Sequence, residues 1–313
     1  MPALERLVFF GTPEFALPAL EALVAAGRRP ALVVTQPARP AGRGRRLVEP
    51  PVALRALALG LAVAQPERVR DPGFLADLGK LAPDLGIVVA FGQIFPRALL
   101  DLPRLGCINV HASLLPRWRG AAPIPAAIAA GDAETGISIQ RLEAGLDTGP
   151  VLAERRTPIG ADETAGELSA RLSRLGADLL LEVLSALELG SATATPQDEA
   201  QATYAPKLAG PRTLDLARPA HELAREVRAF HPEPGATLET RREPLKVLRA
   251  APSAAHSAQR QGTVVGIGGG ALALATGEGT VLELLVVQRP GGRPISGGEL
   301  ANGWRLRAGD RLA

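Results

Sequence analysis

The chain has 313 residues, 46% of them hydrophobic, so it is long enough to bury the cores of two domains. Its net charge of +3 is small, and no stretch has the roughly 18 unbroken apolar residues that a membrane helix needs. A single cysteine, Cys107, excludes an intrachain disulfide and a thiolate metal cluster, and four scattered histidines argue against a zinc site. We therefore expect a protein without a metal. The first 15 residues lack the basic leader and apolar centre of a secretion signal, so we also expect a cytoplasmic protein.

The first two thirds of the chain alternate short apolar runs with helical patterns. Apolar runs predict strands at 7–11, 31–36, 85–92 and 106–113. Helical spacing predicts helices between and after them, including 15–27, 74–83 and 163–190. This alternation is typical of βαβ units, which build a parallel sheet covered on both faces. The segment 37–51 is expected to be a loop, because its prolines and glycines disfavour regular structure.

The last third of the chain has a different pattern. A polar, turn-rich stretch at 191–211 precedes one helical segment at 221–230, and short strand candidates separated by glycine turns follow. Many short strands without long helices favour a small β-barrel. We therefore predict an α/β domain at 1–190, a linker at 191–211 and a β-barrel domain at 212–313.

Positive charge is concentrated in two places. Residues 205–313 carry 15 basic and 10 acidic side chains, whereas residues 1–204 carry 20 basic and 22 acidic ones. Within the predicted loop, RPAGRGRR at 39–46 has four arginines and no acid. Such patches suggest a polyanionic partner, and a solvated surface is the alternative.

A candidate catalytic pair stands at the end of the fourth predicted strand. Asn109 and His111 lie two residues apart, so on an extended strand they project from the same face. Open α/β sheets bind ligands at the carboxyl ends of their strands, where an amide can donate to an oxyanion and an imidazole can move a proton. Asp147, in the glycine-flanked loop EAGLDTG, could orient the imidazole. A purely structural histidine is the alternative, and Cys107 is expected to be an inert core residue.

Two neighbouring blocks resemble a known family. GCINVHASLLPRWRGAAPI at 106–124 and GDAETGISIQRLEAGLDTGPVL at 131–152 are similar to the folate-dependent formyltransferases, whose signature is an Asn-x-His strand end, an SLLP turn and a Leu-Asp-Thr-Gly loop. Shorter matches, GTPEFALPAL, TQPARPAGRGRRL, TYAPKL and RAFHPEPGA, extend the resemblance over nearly the whole chain. The resemblance implies a Rossmann-like formyltransferase domain with a parallel-rich sheet, followed by a small OB-like β-barrel domain that binds tRNA.

The resemblance also implies a reaction. A formyl group would pass from 10-formyltetrahydrofolate to the α-amino group of methionine on initiator tRNA, without a metal or a covalent enzyme intermediate, and the protein would act as a monomer. Asn109 and protonated His111 would stabilise the tetrahedral oxyanion. His111 would also relay a proton to the departing folate nitrogen, and Asp147 would orient His111.

Binding residues follow from the same resemblance. The folate pocket would be formed by seven residues, Ala90, Phe91, Gly92, Ser113, Leu114, Leu115 and Pro116, together with the 141–147 loop. Arg43 would sense the unpaired first position of the initiator acceptor stem. Arg39, Arg45 and Arg46 would hold phosphates, contacts that position a nucleic acid without reading its sequence.

Two alternatives remain at this point. One is the same chemistry on a small amine, such as an amino sugar nucleotide or glycinamide ribonucleotide, although neither needs the arginine-rich segment or a basic second domain. The other is a non-catalytic RNA-binding module that keeps Asn109, His111 and Asp147 only as relics of the fold.

Overall fold

The computed structural model of the protein describes residues 4–41 and 46–313, which form two compact units. The first unit contains the chain up to Pro123, together with Glu134–Pro158 and Ser169–Pro206. The second unit contains Ile124–Ala133, Ile159–Leu168 and Lys207–Ala313. Each unit is therefore built from three separate stretches of the chain.

The strands and helices of the described residues up to position 189 are, in chain order, β1 (Leu7–Gly11), α1 (Leu17–Ala25), β2 (Leu32–Val34), β3 (Arg39–Ala41), β4 (Arg46–Val48), α2 (Pro51–Ala58), β5 (Val63–Ala64), α3 (Pro72–Lys80), β6 (Leu85–Val89), α4 (Arg97–Leu100), β7 (Cys107–His111), β8 (Arg119–Gly120), α5 (Pro123–Ala130), β9 (Glu134–Arg141), β10 (Val151–Pro158) and α6 (Ala165–Leu189). The later elements are β11 (Tyr204–Ala205), β12 (Arg212–Thr213), α7 (Ala220–Ala229), β13 (Ala236–Leu238), β14 (Leu245–Pro252), β15 (Val264–Gly268), β16 (Ala271–Ala275), β17 (Val281–Gln288), β18 (Pro294–Ser296) and α8 (Gly297–Trp304).

The first unit is built on a seven-stranded sheet in the order β10-β9-β7-β6-β1-β2-β5. Five neighbouring strands of this sheet are parallel: β7, β6, β1, β2 and β5. Strands β9 and β10 extend the sheet beyond β7 with antiparallel pairing. The strand order reverses between β1 and β6, so the carboxyl ends of these two strands flank a topological switch point, where open α/β sheets bind their ligands.

The central strands are buried on both faces. Every residue of β1 and β6 is buried, as near-continuous apolar runs in a parallel sheet predict. Phe10 packs edge to face against Phe91 and Phe95, with ring centroids 5.6 and 4.9 Å away. Gly176 of α6 lies close to Val110 of β7: a Cβ atom added to Gly176 would lie 2.8 Å from Cγ1 of Val110. The sheet that positions the candidate site is therefore held by close packing.

The segment 37–51 differs from the expected loop. Strands β3 and β4 form an antiparallel ribbon in which Arg39 is paired with Val48 and Pro40 with Leu47. The prolines do not prevent this pairing, because a two-stranded ribbon consists only of edge strands, where proline is tolerated.

The second unit has its own sheet and its own core. Its strands follow the order β12-β13-β14-β17-β16-β15, with β18 paired to β17, and every pairing except β12 with β13 is antiparallel. The core contains Leu223 and Val227 of α7 and Leu300 of α8, all nearly inaccessible to solvent. Helix α8 begins with a capping box in which Ser296 and Glu299 bond each other's backbone N–H groups.

The expected fold class is confirmed: a parallel-rich α/β sheet in the N-terminal part and a second sheet domain in the C-terminal part. Over the described ranges, no helix is both long and apolar enough to cross a bilayer.

Candidate active site

The candidate site lies at the carboxyl end of β7, entirely within the first unit. Strand β7 ends at His111, and its antiparallel neighbour β9 places Gln140 opposite Asn109 and Ser138 opposite His111. Since residues that face each other across a pair project to the same side of the sheet, polar groups from both strands meet here.

The carboxylate of Asp147 is the centre of this cluster. Its Oδ1 accepts hydrogen bonds from Gln140 Nε2 at 2.7 Å and from Asn109 Nδ2 at 3.4 Å. Its Oδ2 accepts one from the backbone N–H of Gly120 at 2.9 Å. Asp147 itself has a φ of +53°, a left-handed conformation that aspartate tolerates better than most residues. Three donors therefore fix the carboxylate of a residue in an uncommon backbone conformation.

The imidazole of His111 is buried between two acceptors. Its Nε2 lies 3.0 Å from the carbonyl oxygen of Trp118, and its Nδ1 lies 3.7 Å from Asp147 Oδ2. A carbonyl oxygen only accepts, so Nε2 carries a proton in this arrangement. The Nδ1 contact is longer than a hydrogen bond, so Nδ1 faces the Asp147 carboxylate without bonding it directly.

The three predicted catalytic residues are thus brought together in one cluster. The asparagine amide and the imidazole both face the same carboxylate, and Asn109 is only half-buried whereas the side chain of His111 is 6% exposed. Chemically, this cluster offers an amide donor, a proton carrier and a fixed negative charge.

The segment 90–92 follows β6 at the switch point. Ala90 and Gly92 are exposed, whereas the Phe91 ring is buried in the aromatic cluster with Phe10. The Phe91 carbonyl accepts hydrogen bonds from Gln36 Nε2 at 2.9 Å and Thr12 Oγ1 at 3.1 Å. A ligand here would therefore meet Ala90 and Gly92 before it meets Phe91.

The turn 113–116 is tied to the sheet. Ser113 and Leu115 are buried, and Leu114 and Pro116 are partly exposed. The Ser113 hydroxyl donates to the carbonyl of Arg117 at 2.6 Å, and Ser138 Oγ accepts from the backbone N–H of Leu115 at 3.0 Å. The surface that this turn offers to a ligand is that of Leu114 and Pro116.

The candidate tRNA-binding arginines are only partly within the described residues. Arg39 and Arg46 lie on the exposed β3–β4 ribbon, and Arg39 Nη2 donates to Gln36 Oε1 at 3.0 Å. Arg43 and Arg45 lie outside the described residues.

Comparison with known proteins decides the family. The family model described as formyl transferase matches residues 5–184, and the one described as formyl transferase, C-terminal domain, matches residues 211–305. The chain belongs to the formyl transferase family.

Its relatives extend over its full length. A methionyl-tRNA formyltransferase of Halorhodospira halophila is 51% identical over 97% of this chain and 98% of its own length. The methionyl-tRNA formyltransferase of Bordetella pertussis is 48% identical over 96% of this chain and 99% of its own. The chain is thus a formyl-group transferase of the methionyl-tRNA formyltransferase group.

Solved structures share the fold at lower identity. The sugar 3N-formyl transferase WlaRD, crystallised with dTDP and 5-N-formyl-THF, matches with a TM-score of 0.67 at 14% identity, over 92% of this chain and 98% of its own. HypX from Aquifex aeolicus, in complex with tetrahydrofolic acid, matches with a TM-score of 0.64 at 15% identity, over 99% of this chain and 51% of its own.

Three side chains of the candidate site and its immediate surroundings were not predicted from the sequence: Gln140, Arg119 and Gln197. Gln140 has a readable signal, because Ser138 and Gln140 alternate with isoleucines along β9 and so place polar groups on one face of a buried strand. Arg119 and Gln197 lie in segments without periodicity. Their contacts depend on how distant parts of the chain meet.

Cys107 takes no part in the cluster. Its side chain packs in the core, and burial raises the pKa of its thiol to about 12. A thiol that stays protonated is a poor nucleophile, which agrees with the expected role as a core residue. The described part of the chain contains no group of three or more His, Cys, Asp or Glu side chains arranged to hold a metal ion.

Proposed function

We propose that the protein transfers the formyl group of 10-formyltetrahydrofolate to the α-amino group of methionine on initiator tRNA. The observation that carries the proposal is the meeting of Asn109, His111 and Asp147 at the carboxyl end of β7. Full-length relatives at 47–51% identity support the substrate assignment.

Asn109 is assigned to the oxyanion. When the amine nitrogen bonds to the formyl carbon, the formyl oxygen becomes negative, and an amide N–H aimed at it stabilises the tetrahedral state. One N–H of Asn109 donates to Asp147, and this contact leaves the other N–H for the substrate oxygen. The half-buried position of Asn109 gives a substrate access to it.

His111 is assigned to the proton. The attacking amine loses a proton as its bond to carbon forms, and the folate nitrogen gains one as its bond to carbon breaks. The Nδ1 atom of His111 can carry this proton, while Trp118 O holds Nε2–H and the Asp147 carboxylate stabilises the imidazolium. The substrate supplies the nucleophile, so the transfer needs neither a covalent enzyme intermediate nor a metal.

Binding is assigned to surfaces on either side of this cluster. The exposed surfaces of Ala90, Gly92, Leu114 and Pro116 would contact the folate, and the remaining candidates, Phe91, Ser113 and Leu115, would support them from beneath. The arginines Arg39, Arg43, Arg45 and Arg46 would contact the acceptor end of the tRNA. The net charge of +5 over residues 205–313 would attract its backbone.

The proposal includes three further expectations. Along the chain, the boundaries are proposed at 1–190, 191–211 and 212–313; the two compact units depart from them, because 124–133 and 159–168 belong to the second unit and 191–206 to the first. The protein acts as a monomer. It works in the cytoplasm, because initiator tRNA is charged and used there.

The second candidate is formyl transfer to a small amine. The neighbouring sugar formyltransferases share the fold at 14–22% identity, which supports no substrate assignment. A sugar amine would use neither the arginines of the β3–β4 ribbon nor the positive charge of residues 205–313.

The deciding experiment measures formyl transfer to methionine-charged initiator tRNA. Methionine-charged elongator tRNA and a free amino sugar nucleotide serve as parallel acceptors. We expect formylation of the initiator alone, with tRNA binding that weakens steeply as salt is raised. Turnover on the small amine without turnover on tRNA would establish the second candidate, and no transfer to any amine would favour a non-catalytic RNA-binding module.

A further inference from the structure

The chain after α6 returns to the candidate site. The backbone of Thr195 pairs with that of Val151 in an isolated bridge, and Tyr204–Ala205 pairs with β8 in parallel register. Between these two attachments, the side chain of Gln197 reaches the loop that carries Asp147. The segment 191–211, which was predicted to be a linker, therefore contacts the candidate site in the first unit.

The side-chain amide of Gln197 has partners at both ends. Its Nε2 donates to the carbonyl oxygens of Asp147 at 2.8 Å and Gly149 at 2.7 Å. Its Oε1 accepts from Nε and Nη2 of Arg119 at 3.0 and 2.8 Å. Carbonyls only accept and a guanidinium only donates, so the two ends of the amide cannot exchange places.

Arg119 holds Gln197 in place. Its side chain is completely buried, and its guanidinium also donates to both carboxylate oxygens of Glu199, at 2.8 and 2.7 Å. These charge-assisted bonds compensate a buried cation, and a fork with two partners has little freedom to turn. Gln197 is therefore a rigid link between a buried arginine and the 147–149 backbone.

The position of Asp147 depends on its backbone. The residue has a φ of +53°, and in this conformation its carboxylate meets Asn109, Gln140 and the Gly120 N–H. Although aspartate tolerates this conformation better than most non-glycine residues, the conformation is less favourable than the right-handed or extended ones, so contacts to its backbone help to hold it. The hydrogen bond from Gln197 to the Asp147 carbonyl is such a contact.

We infer that Gln197 is a positioning residue for the formyl transfer: it touches no reactant, and it holds the backbone of Asp147 so that the carboxylate faces Asn109 and His111. This inference rests on the proposed function. A displacement of the carboxylate by about 1 Å would lower turnover by roughly 100-fold, because a reacting array tolerates little misplacement.

Two substitutions separate this role from a structural one. Gln197→Ala removes all its contacts. Gln197→Glu keeps an oxygen for Arg119 and so keeps the anchor, but it turns a second oxygen toward the carbonyls of Asp147 and Gly149. Gln201→Ala is the matched control, since Gln201 is exposed in the same segment and bonds only Asp198 in the described structure. We expect both Gln197 variants to lose about 100-fold in kcat, with KM changed less than about threefold, and the control to retain full activity.

A double-mutant cycle with Asp147→Asn tests whether Gln197 acts through Asp147. If it does, Gln197→Glu costs little more once Asp147 has been changed, whereas independent effects multiply. Hydrogen exchange of the Gly120 amide, which donates to Asp147 Oδ2, provides a readout without activity, and we expect it to accelerate in Gln197→Glu. An unchanged exchange rate, or an undiminished loss of kcat in the Asp147→Asn background, would overturn the inference. If the wild-type protein transfers no formyl group, the proposed function fails, and the exchange measurement still tests the link.

Discussion

Asn109 and Gln140 lie opposite each other on β7 and β9, and both side-chain amides donate to Oδ1 of Asp147, at 3.4 and 2.7 Å. The two amides share a partner but differ in exposure, because Asn109 is half-buried and Gln140 is completely buried. We therefore assign them different roles: Asn109 meets the substrate, and Gln140 supports the carboxylate.

This difference predicts that alanine substitutions at the two positions affect different properties, kcat in one case and stability in the other. Asn109→Ala should lower kcat by about 100-fold or more, because it removes an oxyanion donor, and should leave the melting temperature almost unchanged. Gln140→Ala should lower stability by about 1–3 kcal/mol, because it removes the shorter of the two hydrogen bonds to Asp147 Oδ1 and leaves a cavity at a completely buried position. Kinetics and calorimetry on both variants check the assignment. Equal losses of kcat with equal losses of stability would contradict it.

Replacement of the imidazole should stop the reaction and leave the fold intact. His111→Ala removes the proton carrier, so we expect kcat to fall by at least about 100-fold while the circular dichroism spectrum stays that of the wild type. His256→Ala, at an exposed position, serves as the control. If His111→Ala retains more than a tenth of the wild-type kcat, the imidazole does not carry the proton.

The arginine-rich segment should act on tRNA alone. Arg43→Leu should raise the KM for initiator tRNA by roughly tenfold and leave the KM for the formyl donor unchanged, since the segment is assigned to the acceptor stem. The exposed Arg70 offers a matched control, because Arg70→Leu removes the same charge elsewhere in the first unit. Normal tRNA kinetics for Arg43→Leu would remove the acceptor-stem role.

Asp84 predicts a pH-dependent contribution to stability. Burial raises the pKa of Asp84. Hydrogen bonds from the Arg6 backbone N–H and the Arg104 guanidinium, together with the charges of both arginines, lower that pKa by more. The pKa of Asp84 therefore lies below its ordinary value of 3.8. The folded state thus favours the carboxylate. Its contribution is fully present above the unfolded pKa and is lost as the pH falls through the folded one.

The measurement compares wild type with Asp84→Asn, which does not titrate. We expect the wild type to be more stable by about 2 kcal/mol at neutral pH, with the advantage shrinking below about pH 4. Native-state hydrogen exchange of the β1 and β6 amides reports on the unit that contains Asp84. A difference that stays constant down to about pH 3 would mean that the carboxylate charge is not what stabilises the contact.

Cys107 should be chemically silent. Because burial raises the pKa of its thiol to about 12, we expect no alkylation by iodoacetamide in the native protein and full alkylation after denaturation. Cys107→Ala should retain kcat within about twofold, since the thiol only packs. Rapid native alkylation with loss of activity would return the thiol to the list of candidate nucleophiles.

The sequence allowed the central strands and the cluster of Asn109, His111 and Asp147 to be predicted, because periodicity places Asn109 and His111 on one face and the family signature includes the Asp147 loop. It did not predict Arg119 as a buried cation. A lone arginine in a turn is normally solvated, and only the arrival of Gln197 and Glu199 from a distant segment makes its burial tolerable.

Two other differences have local causes. Helix α8 was not predicted, because its glycines suggest turns, although the capping box at Ser296 and Glu299 was a readable start signal. The β3–β4 ribbon was expected to be a loop, since proline is a reliable breaker only of helices and central strands. Such elements are decided by contacts that composition does not reveal.

The interleaving of the two units has a consequence for cutting the chain. Residues 124–133 and 159–168 belong to the second unit, and they are held there by contacts such as the hydrogen bond from Arg228 to the Glu163 carbonyl. After cleavage at Pro206, the N-terminal fragment would still supply segments to both units. A protease that nicks this site should therefore yield two fragments that co-elute under native conditions and separate only in denaturant.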